Sequence, residues 1–179
     1  MPSGLTLVEQ VPIPSQSAVA TAFKSVNLAD AFSIQLPSGA SKDPDVLARF
    51  IFSVQPSWIR ALTHVRDAIV AAFGLKTAKH LATLSGPAAK RISIFRVFAM
   101  SETEVVLGEN DKHLDFRLSI LCTPDSPPST GSQLTLSTVV QCHNRLGRTY
   151  LSVIAPFHRQ VVKASLRRAA ELGWPKAGT

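Results

Sequence analysis

The chain has 179 residues, 45% of them apolar and 17% charged, which suits one domain with a real hydrophobic core and excludes a disordered or fibrous protein. No apolar run is long enough to span a bilayer, and Met1 to Gln16 lacks the basic, apolar and small-residue sections of a secretory signal, so a cytoplasmic location is expected. The formal charge of +7 is gathered at one end: from Arg145 onward there are seven basic residues and one acid, Glu171, a local excess of +6.

Residues 1–25 read as an irregular arm, because Val11-Pro12-Ile13-Pro14 and Ser15-Gln16-Ser17 break any period. A single domain then covers 26–172. Its first strand is predicted over Asn27 to Leu36, closed by Pro37-Ser38-Gly39. Asp43-Pro44 predicts a helix start, a capping carboxylate followed by proline at the first helical position. That helix ends before Pro56, where a second is predicted to run to Phe73. There Trp58, Leu62, Val65, Ile69 and Phe73 make one apolar stripe, Gly74 is the stop and His64 lies on the wet face. Residues 75–90 have no single period. Strands are predicted over 91–100, 103–109, 112–123 and 133–143, the last two joined by a turn-rich loop. From Arg148 to Leu172 the period is helical, with Pro156 starting or kinking the helix, and 173–179 read as a flexible tail. The fold class is therefore α+β: a strand, two short helices, several antiparallel strands, then a long helix.

Cys122 and Cys142 do not suit a disulfide. If the last two strands pair through the loop between them, one cysteine sits beside the loop and the other at the far end, well over ~20 Å away at about 3.3 Å per residue. Both are expected to be reduced and buried. Cys142 and His143 point to opposite faces of a strand and cannot act as a nucleophile–base pair. Asn144 suits a cap or turn where strand becomes helix. The five histidines have no metal-ligand spacing, and no cofactor motif is present.

His113, Asp115 and Arg117 alternate with Leu114, Phe116 and Leu118, so the polar trio shares one face. It reads as a solvent-side charge ladder or as a row that docks a partner. A two-residue turn at Asn110-Asp111 would set Glu104 opposite Arg117 and Val106 opposite Asp115. Arg96 lies in phase with Ile94 and Phe98. A charge there must be paired (Glu109 is the candidate), reach the sheet edge, or meet a ligand anion. Arg159, Lys163 and Arg167 recur every fourth residue, as on a solvated helix face. Without interleaved aromatics this stripe predicts no sequence-specific nucleic-acid partner, and at most salt-sensitive contact with an acidic one.

The phrases EVVLGENDKHLDFRLSIL, HNRLGRTYL and IAPFHR, with LADAFSIQLP and AAFGLKT upstream, resemble the bacterial domain-of-unknown-function family 2867. Through it the chain resembles the helix-grip superfamily, which includes START-like lipid-transfer domains, polyketide cyclases and the plant allergen fold (the SRPBCC-like proteins). The resemblance implies a curved antiparallel sheet wrapped around a long C-terminal helix with an apolar cavity between them. It also implies a small apolar or amphipathic ligand, with Trp58, Phe98, Phe116, Ile154 and Phe157 lining the cavity or its mouth, Arg96 meeting a polar head group, and His158 among the ligand-binding residues. Five strands are legible where that superfamily has six or seven. The family supplies no catalytic residues to carry over. A cyclase- or dehydratase-like enzyme is the alternative, with His158, His113, Arg96 and Tyr150 as its candidate acids and bases. An interaction module built on the basic C-terminal helix is the third reading.

Overall fold

A computed structural model of the chain describes residues 7–59, 90–124 and 132–178. Most of the predicted second helix, with residues 75–89 and the loop before the last strand, lies outside the described residues. Seven strands form one sheet, antiparallel throughout: β1 (Glu9–Val11), β2 (Leu28–Leu36), β3 (Arg91–Ile92), β4 (Phe95–Met100), β5 (Glu104–Asn110), β6 (Leu114–Pro124) and β7 (Ser132–Cys142). Their order is β1-β2-β7-β6-β5-β4-β3. Two strands more than expected arise because the arm contributes β1, and because a turn with Ser93 at φ 55° divides 91–100 into two.

Helix α1 (Pro44–Ser53) starts where the sequence places it, since the Asp43 carboxylate accepts from the amides of Asp45 and Val46 at 2.8 and 3.4 Å. Arg49 then pairs with Asp45 at 2.8 Å one turn on, and its hydrogen bond holds the Asp45 carboxyl below its ordinary value. The long helix α2 runs Arg145–Leu172, three residues earlier than predicted. Asn144 caps it by accepting from the Gly147 amide at 3.0 Å. Gly147 is required there, because a Cβ would land on the carbonyl oxygen of His113. Pro156 lies inside the helix and neither starts nor ends it.

Register decides the faces. β2 and β7 pair Asp30 with Thr138, Phe32 with Leu136 and Ile34 with Leu134, so even-numbered residues of both strands share the face that meets the helices. The main core joins Phe32, Ile34, Leu36, Leu107, Ile120 and Leu134 of the sheet to Leu47 and Ile51 of α1 and to Val162, Leu166 and Ala169 of α2. The other face carries Thr135, Ser137 and Val139, and here the arm is not irregular. A 3-10 turn, Ala18–Thr21, lays Val19 against Val106 and Val139, with Ile13 and Phe23 packed beside them. The tail is likewise docked: Trp174 is buried against Phe50, and Lys176 bridges to Ala40.

The β5–β6 hairpin also differs from expectation. Glu104 lies opposite Leu121, Gly108 opposite Arg117 and Asn110 opposite Asp115, so the turn falls after Asp111 rather than at Asn110-Asp111. Both cysteines are free and buried; β6 and β7 set Cys122 opposite Leu134 and Cys142 opposite Leu114, at the two ends of the ladder. Burial pushes both thiols above their ordinary values. The native chain is therefore expected to resist a thiol reagent at neutral pH over minutes and to react with two equivalents in urea. One equivalent of fast native labelling would contradict this packing.

Candidate functional site

Asp30 is the acid that breaks the apolar inner face of β2: Leu28, Phe32, Ile34 and Leu36 share its phase, and its side chain is 1% exposed. Opposite it stands Thr138, also buried. From above, α2 brings His158, whose Nε2 lies 3.4 Å from Asp30 Oδ1, and Arg159, whose Nε donates to Asp30 Oδ2 at 3.4 Å. The imidazole and carboxylate are close but not aligned as a hydrogen bond. Asp30 Oδ1, Thr138 Oγ1 and His158 Nε2 are all buried with no hydrogen-bond partner among the described residues. Buried polar atoms of this kind are ordinarily satisfied, because each orphan costs about 1–3 kcal/mol.

This polar nook divides the inner side in two. Toward the C-terminal end of α2 lies the main core. Toward its N-terminal end lies a smaller cluster, Leu28, Val140 and Cys142, with Leu114, Phe116, Leu151 and Ala155 only partly buried against it. The buried residues of α2 reflect the split: apart from Gly147, they begin at Val162. The first half of the helix thus covers the sheet less closely than the second.

The structure distributes the expected ligand-lining residues over different surfaces. Phe116 is on the inner face, edge-on to Phe95 at 5.7 Å between centroids, and Ile154 is half-buried one turn before His158. Phe157 is 53% exposed and Trp58 44%; at the start of that helical turn the buried residue is Ile59. Arg96 and Phe98 lie on the outer face, where the Arg96 guanidinium sits 5.3 Å from the Phe98 ring centre. Arg96 is therefore not an anion anchor beside α2, and its expected partner Glu109 pairs instead with Arg91 at 3.4 Å. Arg117, across Gly108 from Arg96, stacks at 3.5 Å on the same Phe98 ring, and burial pulls its guanidinium below the ordinary value.

The polar trio resolves into local pairs. His113 lies in the turn before β6, with its Nδ1 against the Asn144 amide, and Asp115 meets His143 at 3.2 Å. The basic stripe is partly used within the fold: Arg159 reaches back to Asp30, and Lys163 sits 5.3 Å from the Phe32 ring centre. Arg159 and Arg167 are exposed as expected, while Lys163 is half-buried. An open depression lined by Lys42, Asp45, Lys90 and Glu102 matches its own charges, Lys90 lying 3.6 Å from Asp45. Among the described residues no group of three or more His, Cys, Asp and Glu is placed to hold a metal, and no helix is long and apolar enough to cross a membrane.

Sequence reading missed Asp30. Its signal was present, an acid in phase with four apolar residues of LADAFSIQL, but its partners lie 129 residues away for Arg159.

These features define an α+β protein with a seven-stranded antiparallel sheet, a long C-terminal helix across one face and a buried polar nook between them. The chain belongs to the family described as Protein of unknown function (DUF2867), whose profile matches residues 22–165. That span contains Asp30, Thr138, His158 and Arg159, and excludes most of the N-terminal arm and the docked tail. No curated protein matches the chain.

Proposed function

We propose that the chain is a helix-grip protein that binds a small apolar or amphipathic ligand between the inner face of the sheet and the first half of α2. One observation carries this reading: three buried polar atoms, at Asp30, Thr138 and His158, have no hydrogen-bond partner among the described residues and stand beside the part of the inner face that α2 covers least. An apolar wall with a few converging polar groups is how small-molecule sites are generally built. Leu28, Phe116, Val140 and Leu151 form the wall; Asp30, Thr138 and His158 form the polar end. Ile154, half-buried, and Phe157, exposed, belong at the mouth. Native mass spectrometry of protein purified from its own cells, followed by solvent extraction, tests the reading. A stoichiometric small-molecule adduct is expected. A mass always equal to the bare chain, even after incubation with a total lipid extract, would remove the support for it.

A second reading, a cyclase- or dehydratase-like enzyme, is favoured by the nearness of His158 and Asp30, since a carboxylate beside an imidazole orients a histidine base. Of the four candidate acids and bases, His158 alone lies in the nook. Recovery of the extracted compound chemically unchanged after prolonged incubation with excess protein would sink the enzyme reading and leave the binding one standing.

A further inference from the structure

We infer that the nook receives a neutral hydroxyl group of the ligand, in preference to a carboxylate or an ammonium head. This rests on the binding reading above and adds the chemistry of the head group to it.

The charge balance comes first. The Asp30 carboxylate already has a cation, Arg159, on its Oδ2 at 3.4 Å. His158, also basic, lies 3.4 Å from its Oδ1, so a ligand cation added there would be uncompensated and costly to desolvate. A carboxylate head would also face Asp30 Oδ1 with two like-charged acceptors and no proton to offer.

The hydrogen-bond inventory points the same way. Asp30 Oδ1 is an acceptor in want of a donor, Thr138 Oγ1 offers both, and His158 Nε2 donates in one tautomer and accepts in the other. A hydroxyl donates once and accepts twice, so one group can give its proton to Asp30 Oδ1 and accept from Thr138 and from His158. An ether oxygen cannot donate to Asp30, and an ammonium, although it could donate to all three atoms, is disfavoured by the charge balance above. Along the strands the nook is bounded by Leu28 and Val140 on one side and by Phe32 and Leu136 on the other. Phe32 and Leu136 belong to the closed main core, so the ligand's apolar body would extend over Leu28, Val140 and Phe116.

Matched alcohols and methyl ethers test this, on a linear body (1-decanol and decyl methyl ether) and on a bicyclic one (2-naphthylmethanol and its methyl ether), with decanoate and decylamine alongside. Isothermal titration measures affinity, and methyl NMR shifts of Leu28, Leu118 and Val140 report the place. For at least one body, the alcohol should bind about tenfold or more tightly than its ether, because the ether strands buried partners that the hydroxyl satisfies. Asp30→Asn should remove most of that preference by weakening the alcohol alone, whereas Thr138→Val, which takes a donor from both compounds, should weaken alcohol and ether alike. The unliganded Thr138→Val chain should melt no lower than the parent, since the lost hydroxyl has no partner among the described residues. Equal binding of alcohol and ether, as when a resident water fills the nook, or tighter binding of decanoate or decylamine, overturns the hydroxyl inference and leaves the binding reading intact. If no compound binds or moves the methyl shifts, both fall together.

Discussion

Replacing Trp174 with alanine is expected to destabilise the fold by about 3–5 kcal/mol, the range for emptying a large buried aromatic site. The residue lies beyond α2, in the segment that composition marks as a loose tail, yet it is only 8% exposed and joins the main core. Gly173, at φ 87°, turns the chain at the end of the helix. The indole then lies 6.2 Å from the Phe50 ring of α1, tilted at 52°. Backbone hydrogen bonds hold the return: the Ser41 amide donates to the Pro175 carbonyl at 2.7 Å and the Ala177 amide to the Gly39 carbonyl at 3.0 Å. The indole Nε1 has no partner among the described residues, so its removal loses no bond. Trp174→Phe should therefore cost much less, under about 1.5 kcal/mol for an apolar swap that keeps most of the volume. Urea unfolding followed by circular dichroism, with unchanged slope, measures both. A Trp174→Ala variant within about 1 kcal/mol of the parent would show that the tail is not part of the core.

On the opposite face, Glu104→Leu is expected to cost about 3 kcal/mol and to release the N-terminal arm. This carboxylate is buried, and its Oε1 accepts from both Ser17 and Ser119 at 2.5 Å. The Ala18 amide donates to its two oxygens at 3.2 and 3.0 Å, at the start of the 3-10 turn. Hydrogen bonds to a charged group are worth about 1.5–3 kcal/mol, and leucine would take the carboxylate acceptor from the Ala18 amide and the Ser119 hydroxyl, leaving Ser17 only its longer bond to Ser119 Oγ at 3.3 Å. Ser17→Ala alone should cost less, about 1 kcal/mol, and the double variant should show coupling of at least about 0.5 kcal/mol, because both changes undo one contact. Hydrogen exchange provides the local readout: the Val19 and Ala20 region should lose protection in Glu104→Leu while β6 and β7 keep theirs. Uniform loss across the sheet would mean that Glu104 supports the whole fold rather than the arm.

Both residues show where reading along the chain stops. The start of α1 was legible because Asp43-Pro44 is a self-contained device, a cap and a preset φ within two residues. The bounds of β2, β5, β6 and β7 were legible because apolar alternation and turn residues are local signals, and so was the Asn144 cap. The separation of Cys122 from Cys142 followed once two neighbouring strands were paired. The side on which Arg96 falls was not legible. A register shift between Val97 and Ala99, together with the turn at Ser93, makes β4 depart from simple alternation, and the face depends on which strand it pairs with.

For the candidate site, His158 was named from the sequence as a ligand-binding residue, but its partner was not. Asp30 and Thr138 meet only because β2 and β7 are neighbours in the sheet, although the whole β3–β6 segment separates them in sequence. Composition, capping and period thus set by themselves the types of most elements after the arm, the α+β class and the free cysteines, since each depends on interactions within a few residues or on chemistry the residue carries with it. The tertiary structure alone decided the strand order, the docking of both chain ends and the convergence of Asp30, Thr138, His158 and Arg159. Those are contacts between distant segments, chosen by the burial of whole faces against one another, and no short window of sequence contains both partners.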